Sequence, residues 1–298
     1  MRISTQTDAM MKVFGEEKAL EYFAKAGFDC LDFSLFTYFL PKDIIGCEYS
    51  GLLFEPREQV LEHFAAMKRQ ADKVGIAFGQ IHTPFPAFVP GHPEQDGKMI
   101  EVTKLSLEIA EVLGAPYAVV HPITETRGSD DYFDVNMKFY GSLAETAKKT
   151  GVGICLENMF RGYRTGKLVE SACSSPKEAV RLVDALNEKY GSVFSFCLDV
   201  GHAHINGYDP ADYVRSLGSR LTALHVQDND GLYDHHVIPF LHNIDWEPFF
   251  MALKETGYKG SLNLETDGFT YKFPPELCLA AINMIGEVCR YFVKKYEL

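Results

Sequence analysis

Six ionisable residues fall at the ends of short apolar runs, where buried sequence ordinarily carries none. His82 closes IAFGQIH, His121 follows YAVV, Glu157 ends VGICLE and Asp199 ends FSFCLD, while His225 closes LTALH and Glu265 follows SLNL. Three carboxylates (Glu157, Asp199, Glu265) gathered in one place would repel one another and resist ionisation. A divalent cation resolves that conflict. One imidazole and three carboxylates form a mixed nitrogen and oxygen donor set that suits one Mn²⁺, Co²⁺, Mg²⁺ or Zn²⁺ ion, with coordination positions left for substrate oxygens. Taken singly, a strand-end acid is explained as a helix cap and a lone His as a hydrogen-bonded structural residue. Four such residues on four successive runs point instead to a shared metal site at Glu157, Asp199, His225 and Glu265.

Convergence requires a scaffold, and the sequence supplies one. Eight apolar runs, at 2–7, 30–35, 76–82, 117–122, 152–158, 194–200, 221–227 and 261–266, alternate with segments of helical spacing. The helix candidates are 16–26, 56–74, 97–113, 136–149, 176–189, 209–217, 245–256 and 275–294. Gly75, Gly114 and Gly257 stand just before a strand, where a helix C-terminus favours the left-handed conformation. Strict alternation predicts an α/β fold, a single (β/α)8 TIM barrel over residues 1–298. An open doubly wound sheet is the alternative, but its glycine-rich loop after the first strand is missing. In a parallel barrel all strand C-termini open on one face, so the six residues would meet there.

Composition narrows the functions. With 298 residues, 46% of them hydrophobic, the chain has material for a large core. A formal charge of −12 and a pI near 5.3 argue against a broad grip on a phosphate backbone, so nucleic acid is not the expected partner. The opening MRISTQTDAM carries no long apolar stretch, so no secretory signal is expected, and no apolar run is long enough for a membrane span. The seven cysteines (Cys30, Cys47, Cys155, Cys173, Cys197, Cys278, Cys289) form no CxxC pair. They read as reduced, buried thiols of a cytoplasmic protein.

The motifs LEN (156–158), LDVGHAH (198–204), HVQDNDGLYDHH (225–236) and LET (264–266), with IHTPF (81–85) and VVHP (119–122), resemble the xylose isomerase-like barrels. That family includes sugar epimerases and metal-dependent AP endonucleases. The ordered match runs over almost the whole chain. It implies that Glu157, Asp199, His225 and Glu265 hold one metal and that Glu157 and Glu265 act as acid and base from opposite faces of a sugar. It also implies that His202 touches substrate. The endonuclease branch holds three metals, and its further ligands correspond to His82, His121, His202, Asp234 and His236; in a sugar enzyme these residues would bind substrate. Family members are often dimers or tetramers, which implies a homo-oligomer.

The expected activity is isomerisation or epimerisation of a small, polar, carbohydrate-like substrate, a sugar or sugar phosphate. A proton is removed next to a carbonyl, and the cation stabilises the enediolate. Dehydration of a keto-inositol begins with the same step and remains an alternative. So do metal-dependent cleavage of abasic DNA and metal binding without turnover. Phe85, Phe88 and Tyr163 are candidate pocket walls, and Arg161 and Arg164 are candidate anion contacts or solvated charges. Asp245 and Trp246 read as a helix cap with packing, whereas His204, His235 and His242 suggest no role.

Overall fold

The computed structural model describes residues 1–43, 48–87, 92–124, 132–164 and 167–298. Cys47 and Phe88 lie outside these residues, as do the side chains of Tyr163 and Arg164. Eight parallel strands form the centre: β1 (Ile3–Gln6), β2 (Cys30–Ser34), β3 (Ala77–His82), β4 (Tyr117–Val120), β5 (Gly153–Glu157), β6 (Phe194–Asp199), β7 (Leu221–His225) and β8 (Leu262–Leu264). Each pairs with its sequence neighbour, and β8 pairs with β1. The ring closes between β7 and β8 through a parallel bridge of Val226 to Leu264, with Val226 N–H donating to Asn263 O at 2.9 Å and Glu265 N–H to Val226 O at 3.0 Å. That closure excludes the open sheet.

The principal helices are α1 (Glu16–Lys25), α2 (Arg57–Val74), α3 (Pro93–Leu113), α4 (Tyr132–Thr150), α5 (Pro176–Tyr190), α6 (Pro210–Leu217), α7 (Trp246–Thr256) and α8 (Pro275–Tyr296). Their sequences show why. In α8 the buried residues Cys278, Ala281, Ile282, Ile285, Cys289 and Phe292 recur every three or four positions, which lays one stripe on the barrel. Helix α5 opens with Ser175, whose hydroxyl accepts the Glu178 N–H at 3.3 Å, followed by a proline whose missing N–H costs nothing there. At the other end of α2, Gly75 adopts φ 75° and ψ 26°, the left-handed turn that lets the chain enter β3.

Short elements decorate the face where the strands end. A helix over Asp8–Phe14 follows β1, one over Val200–Ile205 follows β6, and one over Asp267–Thr270 follows β8. Two antiparallel ribbons, Leu40–Asp43 with Glu48–Ser50 and Gly162–Arg164 with Lys167–Val169, stand in the loops after β2 and β5. Asp245 caps α7 by accepting the Glu247 N–H at 3.3 Å, and Trp246 packs inward, as its sequence context suggests. The six described cysteines are free and buried. Among the described residues, no helix is long and apolar enough to cross a membrane.

Candidate metal centre and active-site cavity

Strand periodicity builds the site. Val119, Cys155, Cys197 and Ala223, from β4 to β7, form a small buried apolar layer inside the barrel. Two residues further along each chain stand His121, Glu157, Asp199 and His225. Because side chains alternate with period two, these four point to the same interior, one layer nearer the mouth. On the other half, β2, β3 and β8 carry a buried polar layer of Asp32, Gln80 and Asn263. Two residues above two of these lie His82 and Glu265. Barrel interiors ordinarily hold branched apolar side chains, so this polar half departs from the usual filling.

Glu157, Asp199, His225 and Glu265 bring one ligand atom each to within 4.8 Å of one another, and all four are buried. His225 Nδ1 lies 3.2 Å from Glu157 Oε1 and 3.0 Å from Glu265 Oε2. Asp199 is divided in function. One oxygen accepts the His202 N–H at 2.6 Å and so caps the helix Val200–Ile205, while Oδ2 has no hydrogen-bond partner. Glu157 Oε2 is likewise without one, although His121 Nε2 stands 3.1 Å away in poor alignment. Buried carboxylate oxygens left unpaired, in a mixed imidazole and carboxylate set, are what a divalent cation would satisfy. The residues present therefore fit such an ion.

Electrostatics agree. Burial pushes the Glu157 carboxyl up, but His225 and His121 hold it well below the usual carboxylate range. Burial and His225 compete in the same way at Glu265, which is held down to about 2. Asp199, by contrast, is pushed up to about 7 by burial, since His202 offsets only part of that cost and Asp234, Glu157 and Glu265 add to it. Burial also lowers the His225 imidazolium, yet Cys197, Glu265, Glu157 and Asp32 hold it well above the usual imidazole range. Burial keeps the Cys197 thiol protonated, so the carboxylates are the anions responsible.

Two further groups flank this set. His82 Nε2 and His121 Nε2 are 3.1 Å apart and face Glu157 Oε2 at 3.7 and 3.1 Å. On the other side, Asp234 Oδ2 accepts from His236 Nε2 at 2.8 Å and lies 3.3 Å from His202 Nε2. Each trio is a candidate ligand group in its own right. The structure thus brings all nine sequence-predicted residues into one contiguous site, with more ligand groups than the single ion expected. His236 reaches its place with φ 47°, uncommon for a residue with a side chain, and its Nδ1 meets Glu265 O at 3.2 Å.

A cavity of about 540 Å³ opens above these groups. Phe85 lines it and stacks on His121 with ring centroids 4.2 Å apart, and Phe160 leans on His202 at 4.9 Å. Phe36, Ile123 and Met159 extend the apolar wall. Arg161 does not contribute. Asn206 Oδ1 accepts its backbone N–H at 2.8 Å, and the residue lines a separate, smaller cleft with Glu170, Ser174 and Tyr208.

A family model described as the xylose isomerase-like TIM barrel matches residues 20–287. The chain belongs to that family. The first curated relatives it matches are uncharacterised proteins of Sinorhizobium fredii and Methanocaldococcus jannaschii, 26% and 30% identical, and the chain spans only 56% and 63% of their lengths. It is also 25% identical over 260 residues to a D-psicose 3-epimerase of Enterocloster bolteae, covering 84% of this chain and 76% of that one. Among solved structures, the IOLI protein with a zinc atom superposes with TM-score 0.74 at 17% identity over 99% of both chains. A D-psicose 3-epimerase from Clostridium cellulolyticum H10, with D-tagatose, superposes with TM-score 0.72 at 17% identity over 98% of this chain and 99% of its own. At such identities the two superpositions show the fold alone.

Within this xylose isomerase-like barrel, several polar residues at the site escape the strand-end rule. Gln6 donates to Glu265 Oε1 at 2.7 Å, and Gln227 donates to Asp234 Oδ1. Asn158 clamps β6 to β5, taking the Asp199 N–H at 2.8 Å and donating to Asp199 O at 2.8 Å. Asp8 and Asp267 line the cavity just beyond β1 and β8. Asp32 sits beneath His225. Its signal was available, since a charge inside the apolar run CLDFSL has no business there unless it is paired.

The loop carrying His235 and His236 rests on Gly268. A Cβ at that position would overlap the His235 carbonyl oxygen and lie 3.0 Å from that of His236. Neither contact is a flexible side-chain tip. Gly268→Ala is expected to destabilise the protein by about 1–3 kcal/mol, the usual cost of overpacking. Urea denaturation against wild type checks this, and an unchanged midpoint would show that the loop yields freely.

Proposed function

We propose that this chain is a divalent-metal-dependent isomerase or epimerase of a small sugar or sugar-like polyol, with Glu157 and Glu265 exchanging protons next to a carbonyl. The observation that carries the reading is the pair of buried glutamates in one four-residue donor set at the floor of the cavity. Pockets for small ligands run to about 300–1,000 Å³, which this cavity fits. Membership of the family and likeness to the D-psicose 3-epimerase of Enterocloster bolteae support the same chemistry.

Glu157, Asp199, His225 and Glu265 would hold the ion. When bound, the cation supplies a Lewis acid that polarises the carbonyl and steadies negative charge developing on oxygen. Glu157 and Glu265 are both anionic at neutral pH, the form able to accept a proton. One takes the C–H proton next to the carbonyl. The other first takes up a proton from solvent and then delivers it, to the opposite face for epimerisation or to the neighbouring carbon for isomerisation. Gln6 steadies Glu265 through its amide, and the Phe85 and Phe160 rings offer apolar faces to a sugar ring or chain. A panel of ketoses and keto-polyols in ²H₂O, with Mn²⁺, Co²⁺, Mg²⁺ or Zn²⁺ supplied, tests the reading. Deuterium enters the carbon next to the carbonyl of an accepted substrate, and no exchange with any of them would count against it.

A second reading is favoured by one observation, the His82–His121–Glu157 and His202–Asp234–His236 groups on either side of the central set. Metal-dependent cleavage of abasic DNA would use three ions there. It predicts two to three zinc ions per chain and nicking of an abasic duplex, against a net charge of −12 that suits a small substrate better.

Metal removal gives a direct check. At a free concentration of about 100 times its Kd, an ion that binds only the folded state adds about 2.7 kcal/mol. For a chain of 298 residues that raises the melting temperature by about 4 °C. Chelator-stripped protein is expected to melt that much lower and to recover on adding Mn²⁺ or Zn²⁺. A melting point indifferent to both would remove the metal from the proposal.

A further inference from the structure

Asp32 lies beneath the proposed metal set, fully buried in β2. Its Oδ2 accepts the amides of Gln80 at 3.1 Å and Asn263 at 2.9 Å, which pin the carboxylate from β3 and β8. The same oxygen lies 3.0 Å from His225 Nε2. Two groups remain unpaired here: Asp32 Oδ1 and His225 Nε2 are both buried without a well-aligned hydrogen-bond partner. A buried donor and a buried acceptor left apart are costly, and His225 Nε2 already stands 3.0 Å from the Asp32 carboxylate. The other face of the imidazole leaves no ambiguity of direction, because Nδ1 faces Glu157 and Glu265. The nearby Cys197 thiol is a poor competitor, being a weak acceptor.

We propose that Asp32 is a positioning residue that accepts a hydrogen bond from the Nε2–H of His225, fixes the Nδ1-unprotonated tautomer and aims that nitrogen at the cation. The inference rests on the proposed metal set. A carboxylate behind a ligand imidazole raises the basicity of the donor nitrogen and locks its orientation, and loss of such a partner typically weakens metal binding 10- to 100-fold. Gln80 and Asn263 belong to the same device, because without their amides a buried carboxylate at this depth would be poorly solvated.

The test uses the whole chain, stripped of metal, with Zn²⁺ affinity read by competition with a chromophoric chelator. Asp32→Ala is expected to weaken the tightest equivalent by about 10- to 100-fold, and Asp32→Asn, which keeps the volume and one acceptor but loses the charge, by less. Equal affinity in wild type and both folded variants overturns the inference and leaves the metal site standing. A wild type that binds no Zn²⁺ overturns the underlying metal reading instead. Should either variant fail to fold, ¹⁵N-histidine spectra of zinc-loaded wild type decide. The proton of His225 is expected on Nε2, coupled to a carboxylate, and a proton on Nδ1 refutes the assignment.

Discussion

Glu157→Gln and Glu265→Gln are each expected to lower turnover by about 10²- to 10⁴-fold, the range over which positioned acids and bases contribute. Both substitutions keep the side-chain volume and remove one negative charge from the floor of the cavity. Their consequences differ in detail. Glu157 is shared between two ligand groups, facing His121 at 3.1 Å on one side and His225 at 3.2 Å on the other. Its neutral amide leaves His121, His82 and His225 without their common anion, so metal affinity should fall along with turnover. Glu265 sits at the edge, held by Gln6 at 2.7 Å, and its loss should leave more of the metal bound. In a two-face epimerase the two variants should also differ in deuterium wash-in, each blocking proton removal from a different epimer. Measurement of turnover, bound metal by elemental mass spectrometry and wash-in on the same preparations separates these effects. Either variant turning over within tenfold of wild type would end its assignment as acid or base.

The parts of this site that were legible in the sequence are those governed by strand period. His121, Glu157, Asp199 and His225 each stand two residues beyond a buried apolar position on β4 to β7, and that alternation survives folding because a strand cannot present them otherwise. The barrel was legible for the same reason, since eight strand-and-helix alternations have few ways to close. Where the chain leaves the strands, local pattern stops informing. Asp8 and Asp267 reach the cavity from helical turns just past β1 and β8, and nothing in their neighbours marks them as lining residues. The meeting of His202 with Asp234 and His236 depends on a loop held by Gly268 and by a left-handed His236, so only family resemblance could suggest it. Of the two roles open to Arg161, its place beside Asn206, away from the cavity, leaves the anion contact without support. Asp32 could have been found, but strand-end reasoning looks only at the last residue of each run.

Metal binding is expected to strengthen steeply with pH, because the metal-free site holds protons that the ion must displace. Two groups carry the argument. The carboxylates around His225 hold its imidazole well above the usual imidazole range in the metal-free site, and the Asp199 carboxyl, buried among other acids, is pushed up to about 7. Both must be unprotonated at the donor atom to act as ligands. The logarithm of the affinity should therefore rise by up to about two per pH unit while both groups are protonated, and less steeply once Asp199 has titrated at about 7. The stability of the metal-free protein runs the other way. Groups with raised folded pKa values contribute while protonated, so the contributions of Asp199 and of His236, which is raised to about 10, are lost as pH climbs through 7 and then 10. Glu265, depressed to about 2, keeps its contribution above its unfolded value near 4.5 and loses it only as pH falls toward 2, outside this window. The melting-temperature gap between loaded and stripped protein should consequently widen from pH 6 to pH 8.5. Scanning calorimetry at intervals across that range, with and without Mn²⁺, measures it. A gap that stays flat or narrows would mean that the cation is not displacing protons from Asp199 and His225, and that the ligand set has been drawn around the wrong atoms.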